Sequence, residues 1–218
     1  MLRLISFEGG DGAGKTTQLR YLERYLISLG HRCVSTCEPG GTALGKIMRQ
    51  ALLDATEEGI ARTAEIFLYL ADRAQHVDKV IRPALNNRQL VLCDRFADST
   101  LAYQGHGRGF DLALLRSLNH IASDGIKPDL TILLDLPPVM GLTRTKERRS
   151  SMTQKVDRPE PHDRFEEEDL PFHERVRNGF LDLARAEPER VVIIDASLSP
   201  LVVHEHIRGI IDERLKRN

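Results

Sequence analysis

Several features that would place a protein in another class are scarce or missing in this sequence. Its 218 residues include no tryptophan and only 3 cysteines. These cysteines form no C-x-x-C pair and are too few for a disulfide framework or a zinc ribbon. No apolar run approaches the roughly twenty residues that span a bilayer, and no secretory leader precedes the first apolar run. We therefore expect a cytoplasmic protein with reduced thiols and no membrane partner.

An excess of charge of either sign is also missing. Lysine and arginine number 31 against 32 aspartate and glutamate, so no net charge attracts nucleic acid or an anionic membrane surface. A small charged ligand suits this balance better than a nucleic acid. The length lies within the usual range for one domain with a substantial core.

The most specific motif lies near the N-terminus, where the pattern G-x-x-x-x-G-K-T runs from Gly9 to Thr16. It follows an apolar run that is typical of a buried strand, Leu4–Phe7, and precedes apolar residues at helical spacing that end near Gly30. In this context the backbone N–H groups of the loop and the N-terminus of the next helix bind phosphate oxygens. Lys15 would reach the β- and γ-phosphates, and Thr16 would offer its hydroxyl to Mg²⁺.

This loop predicts that the protein binds ATP or GTP, but it does not name a reaction. Switch GTPases, motor ATPases and small-molecule kinases all share it. A glycine-rich turn that merely joins a strand to a helix is the structural alternative. The residues predicted to bind the nucleotide are Gly9, Gly10, Asp11, Gly12, Ala13, Gly14, Lys15 and Thr16.

Four further apolar runs alternate with stretches of helical length. Each run is nearly continuous in apolar residues, as expected of a strand that is buried on both faces of a parallel sheet. We therefore predict one α/β domain over residues 1–218, with a doubly wound five-stranded parallel sheet flanked by helices. Ligands of such folds bind at the carboxyl ends of the strands. The predicted strands are Leu4–Phe7, His31–Thr36, Gln89–Cys93, Asp129–Leu134 and Arg190–Ile194.

A turn after the second predicted strand directs an acid toward this edge of the sheet. In the segment 38–42, E-P-G-G-T, the proline fixes φ and the glycines permit unusual dihedral angles. Glu38 is the candidate ligand contact. Alternatively, the segment is only a loop and Glu38 is an acid at the start of a helix. Thr42 is expected to cap that helix, which runs through Ile47 and Leu52.

Two aspartates at the ends of predicted strands compete for the role of metal ligand. Asp94 follows the third apolar run and precedes Arg95, so the pair offers a carboxylate for Mg²⁺ and a guanidinium for a phosphate. Asp135 ends the fourth run in the same way. A structural cap or an ion pair is the alternative for either aspartate. We favour Asp94 because Arg95 beside it gives the pair a joint purpose.

A helix is predicted over Ala64–Ile81, with Tyr69, Arg73 and His76 off its apolar stripe. Tyr69 and Arg73 lie one turn apart, so an aromatic face and a guanidinium could together contact a planar base. An exposed tyrosine with an arginine four residues later is also a common surface pair. The predicted core stripe comprises Phe67, Leu70, Ala74, Val77 and Ile81.

Five segments, in this order along the chain, resemble the bacterial thymidylate kinases, which are P-loop nucleoside monophosphate kinases. They are F-E-G-G-D-G-A-G-K-T-T from residue 7, E-P-G-G-T from 38, A-D-R-A-Q-H from 71, D-R-F-A-D-S-T-L-A-Y-Q-G from 94 and L-D-L-P from 134. The resemblance spans nearly the whole chain. It implies transfer of the γ-phosphoryl group of ATP to dTMP, giving dTDP and ADP for dTTP biosynthesis, with Mg²⁺ as cofactor and a homodimer as the assembly.

The resemblance also assigns roles to single residues. Asp11 matches the acid that contacts the 3′-hydroxyl of the deoxyribose, and Arg95 would bind the acceptor phosphate with Arg49 nearby. Tyr69 stands where the family usually has a phenylalanine stacked on thymine, and Arg73 would donate a hydrogen bond to a base carbonyl.

The remaining expected contacts line the same pocket, and Tyr103 matches the ring thought to exclude a ribose 2′-hydroxyl. The full set of expected substrate contacts is Asp11, Glu38, Arg49, Tyr69, Arg73, Arg95, Ser99, Thr100, Tyr103 and Gln104.

Residues 144–163 resemble the lid that closes over ATP in these kinases. Within them, residues 146–163 are rich in charge and lack apolar periodicity, so they are the plausible mobile insertion. Some family members carry an arginine in the phosphate loop, but this chain has Gly12 there. We assign the catalytic cation to Arg148, with Arg144 and Arg149 as alternatives. The expected catalytic residues are Asp11, Lys15, Arg95 and Arg148.

Two residues depart from the family pattern near the acceptor site. Cys37 stands where the family commonly has an arginine before Glu38, which removes a cation. Lys46 replaces a usual acid in the following helix, and we expect it to restore part of that charge.

Two other classes stay open at this point. A switch GTPase normally needs N-K-x-D for guanine, and the sequence has no such string. Another nucleoside monophosphate kinase with a different acceptor is the closer alternative, although the E-P-G-G turn and Tyr103 disfavour it.

Overall fold

Five strands form one parallel sheet, and the computed structural model describes them within residues 2–53, 59–153 and 164–216. The strands are β1 (Leu4–Glu8), β2 (Cys33–Cys37), β3 (Leu90–Asp94), β4 (Leu130–Asp135) and β5 (Val191–Asp195). Their order across the sheet is β2-β3-β1-β4-β5, and all neighbouring pairs are parallel. The predicted five-stranded parallel sheet is therefore confirmed.

Every strand ends one residue later than the apolar pattern predicted. The apolar pattern marks only the residues that are buried between the helical layers. Backbone pairing continues one residue further, to the edge of the sheet, where Cys37 pairs with Asp94. The strands consequently place polar side chains along the carboxyl edge, where ligands bind. These terminal residues are Glu8, Cys37, Asp94, Asp135 and Asp195.

Helices connect the strands. They are α1 (Lys15–Ser28), α2 (Ala43–Leu53), α3 (Arg62–His76), α4 (Arg82–Asn86), α5 (Ala97–Thr100), α6 (Leu112–Ala122), α7 (Pro138–Thr153), α8 (Leu170–Ala186) and α9 (Pro200–Lys216). Two π-helical turns span Val77–Ile81 and Leu101–Gly107. In the described parts of the chain, no helix combines the length and apolar character that crossing a membrane requires. The hydroxyl of Thr42 accepts a hydrogen bond from the Gly45 N–H at 2.9 Å and caps α2 as predicted.

Helices pack on both faces of the sheet, which is why the strands are apolar throughout. On one face, Leu22 of α1 and Ile207 of α9 belong to the same apolar cluster as Ile132 of β4. The adjacent residue Leu133 points to the opposite face, where it joins the cluster that contains Phe172 of α8. This alternation gives the doubly wound architecture.

The buried side of α3 differs from the predicted apolar stripe. Leu70, Val77 and Ile81 are buried as expected, but Phe67 is 58% exposed and Ala74 is exposed as well. Both exposed residues precede the π-helical turn that starts at Val77, so the change of helical period at that turn does not account for them.

Polar residues occupy much of the buried side of α3 instead. Asp72, Arg73 and His76 are almost completely buried, although Arg73 and His76 lie off the predicted stripe. They face the turn that follows β2, where Glu38 accepts hydrogen bonds from Arg73 and His76. The prediction was wrong because it equated burial with apolar character, whereas this face of the helix adjoins a polar site.

α7 begins directly over the glycine-rich loop that joins β1 to α1. Gly12 has a φ of 72°, and a Cβ added there would lie 2.2 Å from the carbonyl oxygen of Gly141. A Cβ on Gly141 would in turn lie 2.2 Å from the carbonyl oxygen of Asp11. Two glycines therefore allow the backbone of α7 to lie against the loop, which no side chain at either position would permit.

The predicted mobile insertion over residues 146–163 is helical in its first part. α7 continues through Thr153, so charge-rich composition did not prevent helix formation there. Residues 154–163 lie outside the described residues.

Candidate active site

A cavity of about 510 Å³ opens at the carboxyl edge of the sheet. The loop after β1, the turn after β2, the segment after β3 and the helices α3 and α7 all contribute to its wall. Most of the predicted site residues meet here. Those that line it are Asp11, Gly12, Gly14, Lys15, Thr16, Glu38, Arg49, Tyr69, Arg73, Asp94, Arg95, Ser99, Thr100, Tyr103, Gln104 and Arg148.

Gly9, Gly10 and Ala13 were predicted to bind the nucleotide but do not line the cavity. Gly9 and Gly10 instead hold the side chain of Lys15, which does line it. Lys15 Nζ donates hydrogen bonds to the carbonyl oxygens of Gly9 at 3.1 Å and Gly10 at 2.8 Å. Ala13 is buried in the apolar core. Burial lowers the pKa of Lys15 to about 8, with the nearby guanidinium of Arg95 acting in the same direction. A phosphate anion beside this ammonium would favour its charged form.

The two candidate metal ligands have different surroundings. Asp94 Oδ2 accepts a hydrogen bond of 2.6 Å from the hydroxyl of Thr16, and both residues line the cavity. Asp135 accepts two hydrogen bonds from Arg177, at 2.7 Å from Nε and 2.8 Å from Nη2, and does not line the cavity. Asp135 therefore forms the ion pair that was the alternative to metal binding, whereas Asp94 lies beside Thr16 at the start of α1.

Arg95 connects the loops that follow β1 and β3. Its guanidinium donates to Asp11 Oδ1 at 2.6 Å, to the Gly9 carbonyl at 3.0 Å and to the Tyr103 hydroxyl at 3.0 Å. Burial alone would raise the pKa of Asp11, but the cations of Arg95 and Lys15 hold it below its usual value. Asp11 is therefore an ionised hydrogen-bond acceptor.

The backbone of Arg95 is strained. Its φ is 69°, in the left-handed region that non-glycine residues rarely occupy. The Arg95 N–H donates to the carbonyl oxygen of Phe7 at 2.9 Å, which holds this conformation against β1. Such strain is typical of functional positions, where the surrounding contacts determine the direction of one side chain.

Glu8, which the sequence analysis did not single out, supports this segment from below. Its buried carboxyl accepts hydrogen bonds from the Phe96 N–H at 2.7 Å and the Ser99 hydroxyl at 2.6 Å, on either side of the Arg95 turn. Burial, reinforced by the negative charge of Asp98, raises the pKa of Glu8 to about 8. The polar residue that ends an otherwise apolar strand was the signal that could have identified it.

Both carboxylate oxygens of Glu38, which lines the cavity, are engaged by neighbouring side chains. One oxygen accepts from Arg73 Nε at 2.8 Å, and the other accepts from His76 Nδ1 at 2.9 Å. Arg73 Nη1 also donates to Asn119 Oδ1 at 2.6 Å and to Thr100 Oγ1 at 3.1 Å. Glu38 and Thr100 therefore orient Arg73, and Asn119 is a third support that the sequence analysis missed.

Aromatic rings form one end of the cavity. The centroid of the Phe165 ring lies 5.5 Å from that of Tyr103, with the rings edge to face, and 6.5 Å from that of Tyr69. Arg108 and Arg164 place guanidinium groups over Phe165 at 5.3 and 4.9 Å. No sequence motif pointed to Phe165, because it lies far from both tyrosines along the chain.

The three candidate lid arginines differ in position. Arg144 and Arg148 line the cavity, and Arg144 Nη1 donates to the carbonyl oxygen of Ala196 at 3.0 Å. Arg148 is 57% exposed in its side chain and lies 4.0 Å from Glu166. Arg149 lies 3.0 Å from the same carboxylate and does not line the cavity. Arg148 thus combines a position on the cavity wall with an exposed side chain.

The two departures from the family pattern have unequal consequences. Cys37 lines the cavity and donates from Sγ to the Pro39 carbonyl at 3.8 Å, and burial raises the pKa of its thiol. Lys46 is exposed on α2 and does not line the cavity, so the expectation that it restores charge near the acceptor site was wrong. Arg49, one turn further along α2, lines the cavity and donates to the Pro39 carbonyl at 3.0 Å.

Comparisons with known proteins agree on one family. The sequence model described as thymidylate kinase matches residues 7–207 of this chain. A thymidylate kinase from Desulfovibrio desulfuricans is 54% identical over 213 residues, which cover 98% of this chain and 96% of that protein. A thymidylate kinase from a Synechococcus strain is 50% identical, with 97% and 95% of the two chains covered.

A solved structure gives the same result in three dimensions. The crystal structure of thymidylate kinase from Ehrlichia chaffeensis superimposes with a TM-score of 0.76 at 33% sequence identity. The superposition covers 96% of this chain and 98% of that one.

The substitution Glu8→Gln tests the protonation of the buried carboxyl. The unfolded chain has an ordinary carboxyl pKa of 4.5, whereas burial raises the native pKa of Glu8 to about 8, so the native state retains a proton that the unfolded state releases. The stability contributed by this group is therefore greatest at low pH and falls as the pH rises toward about 8. Glutamine mimics the protonated carboxyl at every pH. The melting temperature of the variant minus that of the parent should increase between about pH 5 and about pH 8.

Thermal unfolding followed by circular dichroism over that pH range measures this difference. Glu189→Gln, which changes an exposed carboxyl, is the matched control and should give a difference that is flat with pH. A Glu8→Gln difference that is equally flat would show that Glu8 is ionised in the native protein at neutral pH.

Proposed function

This chain belongs to the thymidylate kinase family and phosphorylates dTMP to dTDP, and from that premise we propose which groups bind the two substrates. The observation that supports the proposal best is the cavity in which the phosphate loop lies beside Arg95 and the aromatic side chains of Tyr69 and Tyr103. A phosphoryl donor and a nucleotide acceptor can bind there next to each other. In-line transfer requires that arrangement above all.

ATP is the proposed phosphoryl donor, with its phosphates on the loop from Gly9 to Thr16. The backbone N–H groups, the N-terminus of α1 and the ammonium of Lys15 supply positive charge. The hydroxyl of Thr16 and the carboxylate of Asp94 are hard oxygen donors 2.6 Å apart, a set that fits Mg²⁺. Bound to these two residues and to phosphate oxygens, the ion would neutralise charge on the transferred group.

The described residues contain no group of three or more His, Cys, Asp or Glu side chains that could hold a metal ion by themselves. This fits Mg²⁺ in particular, because proteins commonly bind it through one or two side chains and rely on substrate phosphates and water for the rest.

Arg95 and Arg49 are the proposed ligands of the acceptor phosphate. Both line the cavity, and Arg95 is held in place by Asp11 and by the carbonyl oxygen of Gly9. Asp11 is the proposed acceptor for the 3′-hydroxyl of dTMP, because its lowered pKa keeps it ionised. The same ion pair that orients Arg95 would then also place the deoxyribose.

The base is proposed to lie against Tyr69 and Phe165, with Tyr103 close to the sugar. Arg73 would donate to a base carbonyl from Nη2, a nitrogen that contacts no acceptor in the described part of the chain. The hydroxyls of Thr100 and Ser99 support Arg73 and Glu8, so we assign them supporting roles within the pocket wall.

The transfer step is proposed to depend on positioning and on charge. Lys15 and Arg95 neutralise the donor and acceptor phosphates, and Arg148 approaches the transferred phosphoryl group from α7. Residues 144–163 act as the lid that excludes water from this group. Of these residues, 154–163 lie outside the described part of the chain.

Three proposals concern the whole molecule. The chain functions as one domain with the lid inserted in it. It acts in the cytoplasm, which agrees with its three free cysteines. It forms a homodimer through an apolar surface on α2, α3 and α6, because α3 packs against both other helices and all three carry exposed apolar residues. Those residues are Leu44, Ile47, Phe67, Leu114 and Ile121.

A panel of acceptors tests the proposed reaction. With Mg-ATP we expect dTMP to be preferred over dCMP, AMP and GMP by at least about a hundredfold in kcat/KM, because a site that pairs polar groups with one base leaves them unpaired with another. dUMP, which lacks one methyl group, should be less affected. A coupled assay of ADP production measures the reaction rate with each acceptor. Preference for another acceptor would overturn the assigned base contacts, and ATP turnover without any acceptor would overturn the kinase function.

Arg148→Ala tests the proposed catalytic cation. Loss of a charge that acts only on the transferred group should lower kcat by about a hundredfold or more and leave the KM for dTMP nearly unchanged. Arg149→Ala, one residue away on the same helix and off the cavity wall, is the control and should retain most of the activity. If Arg148→Ala keeps its turnover number, the role belongs to another arginine, and Arg144 is the next to be tested.

Phe67→Glu tests the dimer. A charge in the middle of the apolar surface should convert the protein to monomers at micromolar concentration, as measured by sedimentation velocity. Leu201→Glu, at a 66% exposed leucine on α9, introduces the same charge outside that surface and should leave the dimer intact. A parent protein that sediments as a monomer, or a Phe67→Glu variant that stays dimeric, would contradict the proposed interface.

A further inference from the structure

Glu65 of α3 is a buried carboxylate outside the set of residues proposed to bind the two substrates. It is 1% exposed and lies at the side of the cavity occupied by Gln104. One oxygen, Oε1, accepts a hydrogen bond of 2.8 Å from Gln104 Nε2. The other, Oε2, forms ion pairs with Arg164 and, at 3.5 Å, with Arg108. Two guanidinium groups therefore pair with a carboxylate that would otherwise be costly to bury.

This contact determines which way the amide of Gln104 is turned. An ionised carboxylate can only accept hydrogen bonds, so the amide must present its NH₂ group to Glu65. Its oxygen then points away from Glu65. In the described part of the chain, Oε1 of Gln104 receives no hydrogen bond, and Gln104 lines the cavity. The cavity wall therefore presents a hydrogen-bond acceptor at this position.

The rest of Gln104 is held as firmly as its amide. Its carbonyl oxygen accepts a hydrogen bond from the Phe110 N–H at 3.1 Å, and its side chain is almost completely buried. Arg164, which shares Glu65, also donates from Nε to the carbonyl oxygen of Leu52 at 2.8 Å. Glu65 therefore has partners on two segments, residues 104–108 and Arg164, and neither it nor Gln104 can turn freely.

We propose that Glu65 is a specificity-determining positioning residue, which fixes the Gln104 amide so that the acceptor site selects pyrimidines with a ring N–H. Thymine and uracil carry a hydrogen on the ring nitrogen between their two carbonyl groups. Cytosine has a lone pair there, which would face the oxygen of Gln104 without a hydrogen bond. The inference rests on the proposed function, because it requires Gln104 to lie in the acceptor site.

Glu65→Gln tests the inference with little change in volume. Glutamine can offer either an oxygen or an NH₂ group, so the amide of Gln104 is no longer held in one orientation. We expect the ratio of the dCMP to the dTMP dissociation constant to fall by at least about tenfold, since leaving a polar group unpaired is what penalises dCMP in the parent. Isothermal titration calorimetry measures both constants. Misfolded protein changes the apparent stoichiometry of binding and leaves the dissociation constant unchanged.

Two further variants separate this role from a merely structural one. Asp72→Asn removes another buried carboxylate from the same helix and should leave the ratio unchanged, because Asp72 receives its hydrogen bond from the Gly40 N–H. In a Gln104→Ala background, Glu65→Gln should have no additional effect on the ratio, since the residue through which it acts is absent.

The possible outcomes are distinct. A parent protein that does not prefer dTMP over dCMP overturns the proposed function. A parent that prefers dTMP, together with an unchanged ratio in Glu65→Gln, overturns only the role of Glu65. A fall of the ratio that persists in the Gln104→Ala background shows that Glu65 acts by another route, and also overturns the inference.

Discussion

The ion pair between Arg95 and Asp11 joins the two loops from which the rest of the site is built. Asp11 belongs to the loop after β1 and Arg95 to the turn after β3, and the two strands are neighbours in the sheet. Parallel pairing thus brings the loops together, while the left-handed backbone of Arg95 directs its side chain across the gap. Because one cation contacts both loops, the position of the Arg95 side chain ties the loop after β1 to the turn after β3.

Buried acidic side chains around the cavity repeat this principle. Glu38 orients Arg73, Glu8 supports the turn that carries Arg95, and Glu65 orients Gln104. Taking such groups out of water is costly unless each is paired, so every one of these contacts also fixes the direction of a side chain on the cavity wall. Side chains that are held in this way need little reorganisation during phosphoryl transfer.

Sequence reasoning succeeded where function depends on local pattern and on strand ends. It located the five strands, the glycine-rich turn between β1 and α1, and the polar residues that follow β2 and β3. It failed on α3, where Phe67 was expected to be buried and Arg73 and His76 were not. The prediction from periodicity assumed that buried positions carry apolar residues, whereas two of the buried residues here are polar. It missed Phe165 because the contacts of that ring with Tyr69 and Tyr103 join distant parts of the chain.

By itself, the sequence determined the elements that short-range physics controls. Glycines at defined spacing, apolar runs of strand length and a proline after Glu38 predict a glycine-rich loop, five strands and a turn from the local sequence alone. Only the tertiary structure decided which polar groups are partners. Arg177 pairs with Asp135, at the end of β4, and Gln104 donates its hydrogen bond to Glu65. These pairings join residues far apart in sequence, so they exist only once the strands have assembled.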